Sequence, residues 1–220
     1  LLSEIKQDGS GFYIFSCNTG STDGLRLLEA GLTDIAWCHL FDPSTGAYNI
    51  PIIAERFSGK KIVVVHLFYR DLGLVLAPEM ADRVRTFPDL ASEGVRFINR
   101  QAGSGTRIFL DYNLHNSGIN PLDIKGYDQE VYTHFEVGLA IVTGRANAGL
   151  ATGAVSRMLS LPFVSLVHES FDMVVTQEIF FNKNVQTFIG MIQSEGFRQK
   201  VESLGAYDFE QSGKIIYTPE

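Results

Sequence analysis

Apolar residues in this chain fall into two alternating patterns. One is a set of short runs rich in aromatic and β-branched residues and bounded by polar turns, as strands are. Residues 12–17, 34–40, 95–98, 148–151, 163–167 and 171–175 are of this kind. Residues 61–69 form the strongest run, near-continuously apolar, as in a sheet covered on both faces. Arg70-Asp71-Leu72-Gly73 is then expected to turn the chain into a short strand over residues 74–77, which Pro78 ends. His168-Glu169-Ser170 reads as a solvated turn between two strands.

The other pattern has helical spacing. Residues 1–7 read as the last turns of an amphipathic helix. Leu25, Leu27 and Leu28 begin a helix that Gly31 stops, with Ser21, Thr22 or Asp23 as its cap. Val131, Phe135, Gly138, Leu139 and Val142 recur at i, i+4, i+7, i+8 and i+11 and mark a helix face. Val185, Phe188, Ile189 and Ile192 define another helix, and Phe197, Val201 and Leu204 one more. Strands alternating with helices predict an α/β architecture, in which ligands bind beyond the carboxyl ends of strands. Three polar turns fall at such ends: residues 20–24, His39 onward, and residues 99–107.

The last of these carries the clearest chemistry. Asn99-Arg100-Gln101-Ala102-Gly103-Ser104-Gly105-Thr106-Arg107 follows a strand pattern and opens a helical one. Backbone N–H groups, two hydroxyls and a guanidinium thus meet at a helix N-terminus, which suits an anion. Capping by Ser104 or Thr106, with the glycines easing a tight turn, would produce the same pattern.

Composition narrows the choice of partner. The 220-residue chain has 25 acidic against 18 Lys and Arg residues, a formal net charge of −7, which argues against direct contact with nucleic acid. A locally positive pocket remains compatible with that balance. Cys17 and Cys38 both sit in apolar runs and are expected to pack as small hydrophobes. No apolar run has the length of a membrane span, so no membrane partner is expected and the reading is cytoplasmic. The histidines lack metal-ligand spacing, and neither a metal nor a cofactor is expected. Phe12, Tyr13, Phe15, Phe68 and Tyr69 read as core.

Taken together, several separated motifs resemble a family of cytoplasmic periplasmic-binding-protein-like domains. These are residues 99–107, Gly20-Ser21-Thr22-Asp23-Gly24-Leu25, the strand at residues 34–36 ending in His39-Leu40, Gly46-Ala47-Tyr48-Asn49, Arg70 with Gly73-Leu74, and residues 144–150. Members are typically fused to a helix-turn-helix DNA-binding domain or to molybdopterin-biosynthesis modules. The family pattern has a further strand–loop–helix at its start, which this chain is expected to lack, and Asn147 stands where Asp is common. The resemblance implies a two-lobed class II binding-protein fold. Lobe one would hold residues 1–76 and 175–220 and lobe two residues 77–174, with hinge crossings near residues 74–78 and 173–178. It further implies a non-catalytic sensor of a small anion, a molybdate- or tungstate-like oxyanion or a small carboxylate. DNA would be reached only through a fused domain. The ligand-binding residues would be Ser21, Thr22, His39, Tyr48, Arg70, Ser104, Gly105, Thr106 and Arg107, with a lesser part for Asn49. Two rival readings are an enzyme acting on a small anionic metabolite, with His39 and Ser21 or Ser104 as its one conceivable pair, and a protein-interaction module with a vestigial cleft.

Overall fold

Two long strands run through the molecule and set its architecture. Strand β2 (Ile62–Leu76) pairs antiparallel with β6 (Phe163–Thr176), in register from Ile62 opposite Thr176 to Val75 opposite Phe163. The structure is a computed structural model that describes residues 15–202, 205 and 207–219. The expected helix at residues 1–7 and the first part of the strand at residues 12–17 lie outside the described residues.

Around these two strands the sheet runs β1-β6-β2-β5-β3-β4, with β7 (Tyr207–Asp208) and β8 (Ile215–Tyr217) also pairing with β2. β1 (Ile35–Cys38) lies antiparallel to β6, and β5 (Ala148–Thr152) antiparallel to β2. β3 (Phe97–Arg100) is parallel to both β5 and β4 (Glu130–Val131). The helices are α1 (Ser21–Glu29), α2 (Ile50–Arg56), α3 (Gly105–Asn116), α4 (His134–Val142), α5 (Gly153–Leu159), α6 (Gln177–Phe180), α7 (Lys183–Gln193) and α8 (Glu195–Glu202). Among the described residues, no helix is long and apolar enough to cross a membrane.

The apolar cores sort the sheet into two halves. Val63, Val65, Leu67, Met173 and Val175 pack against Val185, Phe188, Ile189 and Ile192 of α7. On the opposite face Val64 and Val174 meet Leu25, Leu28, Ile53 and Phe57. From Leu72 onward β2 belongs to other cores, with Phe97, Leu110, Leu114 and Leu150 on one face and Val137, Ile141 and Val155 on the other. The cores therefore change over between Leu67 and Leu72, inside β2.

Several expectations change. No turn forms at residues 70–73 or 168–170, because Arg70 and Asp71 lie opposite Glu169 and His168 in one continuous ladder. Two register shifts, at His66/Phe68 and Leu72/Gly73, bend the strands without breaking them. Gly73 is required there, since a Cβ would run into the Val164 carbonyl. Phe15 is 94% exposed and Cys17 is exposed, so neither packs in a core. On α4 the buried residues are Val137, Gly138, Ala140 and Ile141, whereas Phe135, Leu139 and Val142 face solvent. That helix is apolar all round, so periodicity alone did not choose its buried side.

Candidate functional site

The site is assembled by residues that leave the sheet at strand ends and by the Arg70–Glu169 pair at the middle of β2 and β6. His39 directly follows β1, and Ser21 is the first residue of α1. Ser21 Oγ accepts the His39 backbone N–H at 3.2 Å and lies 3.0 Å from Nδ1 of the same ring. With one lone pair occupied by that N–H, the hydroxyl hydrogen is free to go to Nδ1. The neutral ring then carries its hydrogen on Nε2, which is buried and has no partner. In that tautomer His39 is a donor toward the cavity.

Arg100 ends β3 and is buried. It donates from Nη2 to the Tyr132 carbonyl at 2.9 Å and from Nε to Gln101 Oε1 at 3.2 Å, leaving Nη1 without a partner. Among the described residues it forms no ion pair. Burial first, and then the neighbouring Arg70 charge, bring its pKa down to about 10, so it is still a cation at neutral pH. Arg70, in β2, is neutralised by Glu169 of β6, to which its Nε donates at 2.6 Å, and its guanidinium sits 4.6 Å over the Phe171 ring. Burial pushes the Glu169 carboxyl up against the downward pull of Arg70 and Arg100.

His134 opens α4, a helix start built by a capping box in which Thr133 and Glu136 satisfy one another's backbone N–H groups. Its Nδ1 is buried without a partner, and its ring centroid is 6.4 Å from that of His39. Burial, followed by the charges of Arg70 and Arg100, holds both imidazoles well below the usual histidine value. At neutral pH they are uncharged.

These groups border a cavity of about 780 Å³ whose lining includes Ser21, His39, Arg70, Arg100, Thr133 and His134. His39, His134 and Glu169 also bring potential metal-ligand atoms within 4.8 Å of one another. Two guanidiniums beside them oppose a bare cation, and Glu169 already serves Arg70. The same donors suit an anion.

Of the residues singled out from sequence, Ser21, His39 and Arg70 line the cavity, and Arg100 of the 99–107 stretch does so as well. The rest of that stretch is spent on structure. Ser104 caps α3, its Oγ accepting the Arg107 N–H at 3.2 Å and donating to the Gln101 carbonyl at 2.9 Å. Gly105 lies so close to the His39 carbonyl that a Cβ would collide with it. Thr106 is buried with its hydroxyl unpartnered. Thr22 Oγ1 donates to the Gly103 carbonyl at 2.8 Å, so the two glycine-rich turns touch. Arg107 is turned away from the cavity, bound to Asp111 and Glu130 at 2.9 Å each and stacked 4.2 Å from Tyr127. Its carboxylate partners, one of them a helical turn ahead, occupy the fork that an anion would need. Tyr48 packs on Phe41 and is not in the cavity lining, but its buried hydroxyl has no partner and lies within electrostatic reach of Glu169 and Arg70; Asn49 holds the Leu40 N–H and Asp172. Asn147 bonds the backbone of Arg96 and Gly94.

Sequence reasoning missed His134 and Glu169 as site residues and did not single out Arg100. The Thr133-x-x-Glu136 spacing could have flagged the helix start that carries His134. Glu169 had no local signal, because its partner is 99 residues away.

The family model described as the PBP superfamily domain matches residues 2–193. The chain belongs to the PBP superfamily. Among its PBP relatives, the uncharacterized protein YvgK of Bacillus subtilis is 30% identical over 200 residues, 90% of this chain and 63% of YvgK. The chain thus spans less than two thirds of that relative's length. A further uncharacterized protein, from the 5′ region of a 2Fe-2S ferredoxin gene of Clostridium pasteurianum, is 27% identical over 110 residues, 50% of this chain and 97% of that protein. Among solved PBP-like structures, a proposed phosphate ABC transporter substrate-binding protein from Clostridium perfringens with bound phosphate superposes with a TM-score of 0.66 at 16% identity, covering 94% of this chain and 92% of that one. The regulatory domain of CcmR from Synechocystis PCC6803, in complex with 2-PG, gives a TM-score of 0.63 at 13% identity over 87% and 86% of the two chains. At such identities the likeness shows the two-lobed PBP fold, with the cavity at the junction where its two sets of cores meet.

Proposed function

We propose that this chain is a non-catalytic binding domain for a small anion, held by Arg100, Arg70, His39 and His134. The observation that carries the reading is a convergence of buried nitrogens without partners, Arg100 Nη1, His39 Nε2 and His134 Nδ1, around one cavity, each imidazole nitrogen donating in the tautomer that carries its hydrogen there. A buried donor left unmade costs roughly 1–3 kcal/mol, which a bound acceptor would relieve. Solved PBP-fold proteins with phosphate or 2-PG bound support the class of ligand. Occupancy would be passed to a linked DNA-binding or cofactor-synthesis module through the relative position of the lobes.

Calorimetry with phosphate, molybdate and simple carboxylates tests this. Saturable binding of one of them, lost in Arg100→Met while Arg107→Ala keeps it, is the expected result. A folded protein that binds no anion would overturn the proposal.

The Ser21–His39 contact at 3.0 Å is the one observation that favours an enzyme. Ser21 is 1% exposed and its oxygen already accepts a backbone N–H, which suits positioning better than attack. Turnover of a bound ester or phosphoester, abolished by Ser21→Ala, would reverse that judgement.

A further inference from the structure

The cavity has a second end with different chemistry. Beyond His39 its wall is aromatic and continuous. The Phe171 ring lies 5.5 Å from the His39 ring and 6.5 Å from Trp37, and Trp37 lies 5.6 Å from Phe188. Val185 and Leu27 complete this apolar end. Phe171 is itself stacked on Phe68 at 5.0 Å and lies under Arg70 at 4.6 Å, and with the half-buried Trp37 it lines the cavity as an apolar wall against which a ligand ring can pack.

The polar end also carries a definite charge. Arg70 and Glu169 cancel, His39 and His134 are neutral, and Arg100 is left, among the described residues, as the cation at this end with no ion-pair partner, Glu169 and Glu136 acting on it only through space while Asp34 lines the cavity elsewhere. A dianion would bring one negative charge more than the cavity offers, in a place where unpaired charge is costly. A single carboxylate matches the charge, and its two oxygens match the donors on Arg100, His39 and His134. The volume, about 780 Å³, falls in the range of pockets for organic ligands and far exceeds what a tetrahedral oxyanion fills.

We propose that the ligand is an aromatic monocarboxylate, its acid group on Arg100 and the two histidines and its ring on the Phe171–Trp37 wall. This rests on the anion-binding reading above and names its ligand class.

The chain has one tryptophan, Trp37, so its fluorescence reports directly on the apolar end. The experiment titrates the protein with phenylacetate, 3-phenylpropanoate, acetate, phosphate and molybdate, reading Trp37 emission and calorimetric heat together. The aryl acids are expected to bind about tenfold or more tighter than acetate and to change Trp37 emission. Phe171→Leu, chosen to keep the core filled, should lower aryl-acid affinity several-fold more than it lowers acetate affinity. Arg100→Met should remove both. Phosphate or molybdate binding that depends on Arg100, with aryl acids inert, would overturn the ligand class and leave the anion reading intact. Aryl-acid binding that survives Arg100→Met would overturn the placement of the head group. No binding of any probe to folded protein would sink both readings.

Discussion

A single buried guanidinium decides most of the chemistry at the residue scale. Arg100 pays for its position with desolvation and with repulsion from Arg70, which together lower its pKa to about 10. Replacing it by the similarly long, uncharged Met removes both costs. Arg100→Met should therefore raise the stability of the ligand-free protein by on the order of 1 kcal/mol, measured by urea unfolding in anion-free buffer. A loss of stability would mean that the bond to the Tyr132 carbonyl outweighs the charge. His39 and His134 set the pH response. Both have folded-state pKa values well below the unfolded value near 6.5. Below that pH the unfolded chain takes up two protons that the folded chain does not. Stability contributed by the neutral rings is present above pH 6.5 and is lost as pH falls, at about 1.4 kcal/mol per pH unit for each proton. His39→Gln with His134→Gln should flatten the unfolding free energy between pH 6.5 and 5, and an unchanged slope would place the titration elsewhere. Sequence made His39, Ser21 and Arg70 visible because each stands at a polar break in an apolar run. It favoured Arg107 over Arg100 because spacing along a chain does not reveal which guanidinium meets a carboxylate first.

Elements were legible where one signal dominated. The run at residues 61–69 became the heart of β2, and Ser104 did become the cap of α3. Breaks were misjudged where polar residues pair with each other across the sheet. Arg70 and Glu169 look like a turn in isolation, yet opposite one another they form a buried ion pair inside two unbroken strands. The exposed Phe135, Leu139 and Val142 stripe on α4 shows the complementary failure, since small buried residues such as Gly138 and Ala140 carry little hydrophobic signal. The start of that helix matters more than its stripe, because its capping box positions His134. Thr133→Ala removes an N-cap acceptor and should cost about 1 kcal/mol of stability. It should also weaken anion binding by loosening the His134 ring, whereas Thr133→Ser should restore both. Thermal unfolding and calorimetry on the pair of variants would check this, and an alanine variant with unchanged affinity would detach the cap from the site.

At the scale of the whole molecule, alternation of strands and helices predicted α/β architecture, but the two-lobed arrangement entered only through resemblance. Periodicity cannot say that β2 and β6 serve two sets of cores, because both halves of each strand are apolar and look alike. The interior charges mark the changeover: Arg70 and Asp71 sit between Leu67, which belongs to one set of cores, and Leu72, which belongs to the other. The register shifts at His66/Phe68 and Leu72/Gly73 flank the same stretch and interrupt the regular ladder there. If the lobes move as bodies, the backbone between these shifts must absorb the rotation, because the cores on either side are close-packed. Residues 68–72 and 167–171 should then exchange amide hydrogens faster than residues 62–66 and 74–76 in the free protein. Arg70 and Phe171 belong to this stretch and to the cavity at once, so a bound acid that engages Arg100 and packs against the Phe171–Trp37 wall would tie the lobes together at the point where they bend. Saturating ligand should slow exchange at residues 68–72 and 167–171 selectively, leaving the α7 core unchanged. Hydrogen exchange read by mass spectrometry distinguishes the outcomes. Uniform slowing across both lobes would indicate global stabilisation by mass action, and would place the hinge somewhere other than the middle of the two long strands.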